Sequence, residues 1–205
     1  MGKAPRNPQE DLLKELIVRA KDGDSKAYGK IFRLCYEDIY DYVARRVGNR
    51  SDAEDLTMHV FAKGLKAVAS YEERGLSVKA WLYRIAHNAI VDHFRIQRPT
   101  VDLEEVPEIA ADGDVVSLIS SQEERRGLYL EIAGLPAAQA EVLILRFIED
   151  RSVAETAMIL DKKEVTVRAL QFKGIKKLRD RLVGEETAPT GRNESEPHSK
   201  RGKQR

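Results

Sequence analysis

From Pro99 to Ser121 the chain runs for 23 residues without a lysine or arginine and carries six acids, Asp102, Glu104, Glu105, Glu108, Asp112 and Asp114. On both sides of it apolar residues recur at helical spacing, with no strand pair and no turn-bounded alternation. The acidic segment has no such period, so it reads as a flexible linker. The pattern therefore predicts an all-α chain of two small helical domains joined by an acidic linker. The expected boundaries are an arm and the start of a first helix at 1–24, a first domain at 25–98, the linker at 99–121, a second domain at 122–183 and a tail at 184–205. The tail is polar, contains Pro and Gly, and is expected to be disordered. Domains this small have thin cores. Fully extended, the linker reaches about 75 Å, and as a coil about 25–30 Å. The two halves can then act at separated places on one partner.

Composition excludes several classes. The chain has 35 basic and 34 acidic residues, so any polyanion-binding surface must be local. A single cysteine, Cys35, excludes an intramolecular disulfide, and its apolar-periodic setting predicts a small buried hydrophobe. No run approaches the roughly 18 apolar residues of a membrane span, and the N-terminus lacks the apolar core of a signal peptide. A cytoplasmic protein with no direct membrane insertion is expected. His59, His87, His93 and His198 show no metal-ligand spacing, and no Gly-rich phosphate loop or nucleophile motif is present. No enzyme activity, metal, cofactor or small-molecule substrate is expected. Asp52, Glu54 and Asp55 read as an acidic first turn favoured by the helix dipole.

Helix boundaries are marked by punctuation. The pattern pauses at Lys21–Asp24 and breaks at Gly48–Arg50. Ser51-Asp-Ala-Glu54 has the form of a capping box, and Ser77 that of an N-cap. Leu135-Pro136 predicts a helix entry with proline in the first turn, and that helix ends near Asp150. Ser152–Glu155 and Asp161–Glu164 are two further capping signals, close together.

Two segments carry chemistry. In Trp81–Arg95, Trp81, Leu82, Ile85, Ala89 and Ile90 form an apolar stripe, with Trp81 as the core anchor. Arg84, Asn88, Asp92 and Arg95 share another face, whose mixed cationic and amide character suits phosphates and base edges. Farther on, Val153–Leu160, a turn at Asp161–Lys163 and a helix from Glu164 to about Leu182 have the form of a helix-turn-helix. Ala157 marks the close crossing, and Val153, Leu160, Val167 and Leu170 can pack between the helices. Lys162, Lys163, Arg168, Lys173, Lys176, Lys177, Arg179 and Arg181 stand against only Glu164 and Asp180, a local charge of +6. Three readings stay open at this level: a nucleic-acid-binding protein using both faces, a helix-turn-helix regulator with a sensing or dimerising N-terminal half, and a helical adaptor.

SDAEDLTMHVFAKGLKA followed by VKAWLYRIAHNAIVDHFR resembles region 2 of the extracytoplasmic-function (ECF, group 4) sigma factors of bacterial RNA polymerase, and LPAAQAEVLILRFIEDRSVAETAMILDKKEVTVRALQFKGIKKLRDRL resembles their region 4. The likeness covers roughly residues 25–98 and 122–183. It implies a sigma factor that binds core polymerase, recognises −10 and −35 promoter elements and directs initiation for a specialised, stress or envelope-type gene set. It places core-polymerase binding on Asp52, Glu54, Asp55, Leu56, His59 and Phe61. It places −10 DNA on Tyr71, Lys79, Arg84, Asn88, Asp92 and Arg95, with the loop Tyr71–Lys79 capturing an unpaired base. It places −35 DNA on Lys163, Thr166, Arg168, Ala169, Leu170, Phe172 and Lys173. It further implies an anti-sigma factor as a partner, and association with the nucleoid when active. The chain departs from the family at Met58-His59, often Gln-Glu; at Asp161, often glycine; and at Leu170 and Lys173, often arginine.

Overall fold

The computed structural model describes residues 8–72, 77–97 and 123–186. The described residues are helical throughout. The first half comprises α1 (Pro8–Lys21), α2 (Ser25–Val47), α3 (Arg50–Ala67), a 3₁₀ turn (Val68–Ser70) and α4 (Val78–Gln97). The second comprises α5 (Glu123–Ala133), α6 (Ala137–Leu143), a π-helical turn (Ile144–Ile148), α7 (Val153–Ile159) and α8 (Glu164–Glu186). The linker at 99–121 lies outside the described residues, and α8 continues to Glu186 before the undescribed remainder of the tail.

Local chemistry accounts for most helix ends. Asp24 caps α2 by accepting from the backbone N–H groups of Lys26 and Ala27. Gly48 ends α2 with φ +79°, a left-handed turn suited to glycine. Ser77 caps α4 by accepting from the Ala80 N–H. Ser152 and Glu155 form the predicted reciprocal capping box on α7. Three details differ from the sequence reading. The cap of α3 is Asn49, which accepts from the Asp52 N–H, and not Ser51; Glu54 turns instead to Arg50, 2.8 Å away. Asn49 follows a left-handed Gly48 and has extended backbone, the geometry a cap requires, so the helix starts earlier than the Ser-x-x-Glu pattern suggests. Pro136 precedes α6 as its cap, its carbonyl accepting from Gln139 and Ala140. Asp161 does not cap α8 but occupies the turn with φ +52°, which explains why glycine is at home there.

α1 to α4 bury one apolar face each. α2 contributes Ala27, Ile31, Cys35, Ile39, Tyr42 and Val43, all fully buried, and α4 contributes Leu82, Ala86, Ala89 and Ile90. Cys35 is a core residue whose thiol is pushed up to about 12 by burial, so it stays protonated. Trp81 sits at the edge of this core, with its ring edge-on to Tyr71 at 5.2 Å. A smaller core, with Tyr129, Ile132, Leu135, Ala140, Leu143 and Ile144, holds α5 to α6 and the π turn.

The two halves do not stand apart. The larger core continues from α1–α4 into Val142, Leu145, Ala157, Ile159, Leu160 and Val167 of the second half. α7, the first helix of the helix-turn-helix, packs on α4. The sequence predicts two separate thin cores; the structure joins them across an interface whose partners lie far apart in the chain.

Candidate nucleic-acid interface

α4 has three functional faces. Leu82, Ala86, Ala89 and Ile90 face the core. Arg84, Asn88 and Arg95 are exposed and Asp92 is half-exposed, so the predicted polar face does point outward. Arg95 and Asp92 pair within it at 3.0 Å. The third face meets the second half of the molecule. Of the other two residues assigned to −10 DNA, Tyr71 is buried beneath Trp81, its carbonyl accepting from Lys21 at 2.8 Å. Lys79 is turned to Asp38 at 2.6 Å and Gln9 at 3.4 Å. The structure thus gathers Arg84, Asn88, Asp92 and Arg95 on one surface and sets Tyr71 and Lys79 behind it. Residues 73–76 of the adjoining loop lie outside the described residues.

On α3, Asp55 and His59 are exposed beside Met58 and Leu65, which are 53% and 50% exposed. Asp52 is held by Asn49 at 2.7 Å and faces His93 at 3.6 Å. Leu56 packs against the core from the side, and Phe61 is buried edge-on to Phe32 at 4.8 Å. Of the six residues assigned to the polymerase, Asp52, Glu54, Asp55 and His59 therefore offer polar groups and Leu56 a partial apolar edge, while Phe61 supports the helix from beneath.

The helix-turn-helix forms as the spacing predicts. Ala157 and Val167 are buried where α7 and α8 cross, and the Lys162 N–H donates to the Ala157 carbonyl at 2.8 Å to close the turn. Lys163, just before α8, and Thr166, Arg168, Ala169, Phe172 and Lys173 on it are exposed. Phe172 is 71% exposed, an apolar ring set in a cationic surface. Arg168 is tethered to Glu164 at 2.9 Å, one turn before it. Leu170 instead leans into the core, so it supports the surface rather than forming part of it.

Between the halves lies a polar cluster with no counterpart in the sequence motifs. Arg46 and Glu141 are 3.3 Å apart, each with a side chain 1% exposed. His87 Nδ1 lies 3.0 Å from the same carboxylate. Arg45 pairs with Glu149, which also accepts from the Tyr83 hydroxyl. The Tyr129 hydroxyl donates to the Arg45 carbonyl at 3.0 Å, and Ser77 donates to Glu155. Burial pushes the Glu141 carboxyl up, but the His87 hydrogen bond and the Arg46 charge outweigh it and hold the group below the usual carboxylate range. Burial likewise works against the Glu155 carboxylate, and the Ser77 hydroxyl leads the contacts that hold it low. Among the described residues no group of three His, Cys, Asp or Glu side chains is placed to hold a metal ion, and no helix is long and apolar enough to cross a membrane.

Two family matches decide the identity. Sigma-70 region 2 matches residues 31–100, and Sigma-70 region 4 matches residues 132–180. The chain belongs to the ECF RNA polymerase sigma factors. Among curated relatives, it is 31% identical to the ECF RNA polymerase sigma factor BldN of Streptomyces coelicolor, over 81% of this chain and 64% of BldN. It is 29% identical to the ECF RNA polymerase sigma factor SigW of Bacillus subtilis, over 84% of this chain and 98% of SigW. The chain thus spans nearly all of SigW but less than two thirds of BldN. In fold it is similar to CnrH, solved in complex with the cytosolic domain of CnrY, with a TM-score of 0.61 at 19% identity over 85% of this chain and 99% of that one. A second similar fold is the sigma factor RpoE of Bartonella quintana, solved with the anti-sigma factor NepR, with a TM-score of 0.59 at 20% identity over 77% of this chain and 98% of that one.

Seen as a sigma factor, the chain carries its region 2 match on α2–α4 and its region 4 match from the end of α5 into α8. Sequence motifs found the outward faces of α4 and α8. They missed Arg45, Arg46, Tyr83, Glu141 and Glu149, which join the regions. The only local sign was an adjacent arginine pair near the end of α2, a pattern more often read as favourable charge at a helix C-terminus.

Proposed function

We propose that this sigma factor binds bacterial core RNA polymerase through α3 and reads promoter DNA with two surfaces, α4 at a −10 element and α8 at a −35 element. The observation that carries this reading is the pairing of two outward cationic surfaces, Arg84/Asn88/Arg95 on α4 and Arg168/Lys173 on α8, in one chain with both family regions. Arginine and asparagine can donate to phosphates and base edges; lysine supplies charge without a planar fork, so Lys173 contributes more to phosphate attraction than to guanine readout. Tyr71 and Lys79 act behind the −10 surface, Tyr71 by bracing Trp81 and Lys79 by anchoring the start of α4 to α2.

The reading involves no catalysis by this chain. Opening duplex DNA costs about 1.4 kcal/mol per base-pair step, and stacking on a protein ring returns roughly 1–3 kcal/mol per base. Helical domains of this size cannot hold a bubble of ten or so base pairs alone. The factor supplies sequence choice, and the polymerase supplies the channel that keeps the strands apart. The acidic segment 99–121 suits such a positively charged channel. RpoE was solved with the anti-sigma factor NepR, and CnrH with the cytosolic domain of CnrY, which supports a protein partner of the anti-sigma kind here. Action in the cytoplasm, at the nucleoid, on a specialised stress or envelope-type gene set completes the proposal. Run-off transcription on a genomic template pool tests it. Core polymerase plus this protein should give discrete new start sites that core alone does not. The same transcripts with and without the protein would refute it.

A further inference from the structure

We infer that α1, which precedes both family matches, is a positioning strut for the −10-reading helix: Lys21 and Gln9, near its two ends, hold the two ends of the stretch from Tyr71 to Lys79 and so set the stance of α4. The inference rests on the −10 reading proposed above for α4.

The strut is built on one stripe of the helix. Leu13, Leu16, Ile17 and Ala20 are buried, and α1 packs on α2, α4 and the 3₁₀ turn. Gln9 stands four residues before Leu13 and Lys21 four after Ile17, so each continues the buried stripe at one end. The Lys21 ammonium donates to the Tyr71 carbonyl at 2.8 Å. At the other end the Lys79 ammonium, in the first turn of α4, donates to Gln9 Oε1 at 3.4 Å and to Asp38 at 2.6 Å. One cation from α4 thus meets α1 and α2 together, with its side chain only 15% exposed.

These polar contacts carry a task that the apolar stripe leaves undone. Apolar burial is non-directional, so it holds α1 to the bundle without fixing where its ends lie. The chain from Tyr71 to Lys79 reaches about 28 Å when extended, so the chain alone does not fix the spacing of its two ends. Gln9 and Lys21 lie about 18 Å apart along a rigid helix, and that rod does fix it.

Lys21 acts at a sensitive point. Tyr71 is buried, and its ring stands edge-on to Trp81 at 5.2 Å. Trp81 lies in the first turn of α4, three residues before Arg84. Moving the Tyr71 backbone therefore moves the surface on which α4 starts. α4 is a single helix from Val78 to Gln97, about 30 Å long, so a tilt at its start displaces Arg84, Asn88, Asp92 and Arg95 together. Base readout needs groups held to within about 0.5 Å by locked supporting contacts. A charged donor on a backbone carbonyl is a strong and directional contact of that kind. Lys21 and Gln9 are positioning residues: they act through Tyr71, Trp81 and Lys79, behind the outward face.

The test pairs promoter selectivity with the fluorescence of Trp81, the chain's single tryptophan and so a reporter at the Tyr71 contact. Full-length protein with core polymerase is assayed by run-off transcription on a promoter selected from the genomic pool and on the same promoter with one −10 base changed. Lys21 is exposed, and Lys21→Met keeps its aliphatic stem while removing the donor. It should lower the preference for the intact −10 element about fivefold, the worth of roughly one hydrogen bond, and raise acrylamide quenching of Trp81 about twofold. Core affinity and binding to −35 duplex should not change. Lys21→Arg, which keeps a cationic donor, should restore most of both signals. Gln9→Leu should shift both in the same direction by less, with far-UV circular dichroism confirming helix content. A Lys21→Met protein that transcribed both promoters more weakly by the same factor would make the lysine a phosphate contact and overturn the inference. An unchanged −10 preference, or unchanged quenching of Trp81, overturns it as well. Asn88→Ala in the same assay separates the failures. If it changes the −10 preference where Lys21→Met does not, the strut alone fails. If it too leaves the preference unchanged, the −10 reading of α4 fails and takes the strut with it.

Discussion

His87 on α4 places its Nδ1 3.0 Å from a carboxylate oxygen of Glu141 on α6, tying the helix proposed to read the −10 element to the scaffold of the domain proposed to read the −35 element. The carboxylate also faces Arg46 at 3.3 Å. Removing Glu141 leaves a guanidinium buried and uncompensated. Glu141→Ala is therefore expected to cost about 3–5 kcal/mol, whereas the apolar double replacement Arg46→Leu/Glu141→Leu should fall within about 2 kcal/mol of the native protein. Urea denaturation followed by circular dichroism measures both. The carboxyl is held below its usual range in the folded state, so its contribution is present above the unfolded value of about 4.3 and is lost as pH falls through the folded value. A Glu141→Ala penalty that stayed undiminished well below pH 4 would contradict this assignment.

Asp41 has the opposite sign. Burial pushes its carboxyl up to about 6, although Arg45 lies 3.6 Å away; Glu149, Glu37 and Asp38 add to the upward push. A raised folded value means that this group's contribution is present below the unfolded value of about 3.9 and is lost as pH rises through about 6. Asp41→Asn, which cannot ionise, should stabilise the protein by about 1–2 kcal/mol at pH 8 and by little at pH 4. Thermal melts at the two pH values decide it; equal shifts at both would mean the carboxyl is not strained by ionisation.

Two glycines within helices should respond to the same substitution with opposite signs. At Gly64 an added Cβ would lie 2.5 Å from the buried Tyr28 hydroxyl, which donates to the Phe61 carbonyl at 2.7 Å, with Leu82 and Trp81 at 3.5 and 3.6 Å. Alanine's gain of about 1 kcal/mol in helix propensity is outweighed by overpacking of about 1–3 kcal/mol and by disturbance of that hydrogen bond. At Gly29 the nearest atom is Arg33 Nη1 at 4.0 Å, the movable end of an exposed side chain. Gly64→Ala is expected to destabilise by about 1–2 kcal/mol and Gly29→Ala to stabilise by about 0.5–1 kcal/mol in denaturant titrations.

What the chain revealed in advance was what neighbours in sequence decide. The Lys21–Asp24 pause, the Ser77 cap and the Ser152–Glu155 box all involve groups within three or four residues, and all occur. The outward face of α4 was legible because residues three and four apart share a side of a helix. Ser51 failed as a cap because Asn49 starts the helix two residues earlier, so the amides Ser51 would cap lie inside it, the Ala53 N–H already donating to the Asn49 carbonyl. Lys79 turns inward because Asp38, on another helix, claims it, and nothing beside Lys79 in the sequence announces that. The Arg45–Glu149 and His87–Glu141 contacts are less legible still. Each joins groups on opposite sides of the acidic segment, and a balanced, charge-rich composition offers many equivalent pairings.

The two cations of α8 should separate by what they do to DNA binding. Arg168 is exposed near the start of α8, its guanidinium 2.9 Å from Glu164, a tether that orders the side chain without covering it. The N-terminal part of a recognition helix is the part that meets base edges in the major groove. Arg168→Ala should therefore cost about 1–3 kcal/mol on a preferred −35 duplex, and much less on scrambled duplex. Lys176 is exposed two turns farther along and has no carboxylate on the preceding turn, where Phe172 stands. As a compact point charge it attracts phosphate without selecting a base, so Lys176→Ala should weaken binding to all duplexes alike and lower the slope of log affinity against log salt by about 1. Fluorescence anisotropy over a salt series on preferred and scrambled duplexes gives both quantities. If Arg168→Ala weakened both duplexes equally, the arginine would be a phosphate contact, and base readout would have to rest on Thr166, Ala169, Phe172 and Lys173.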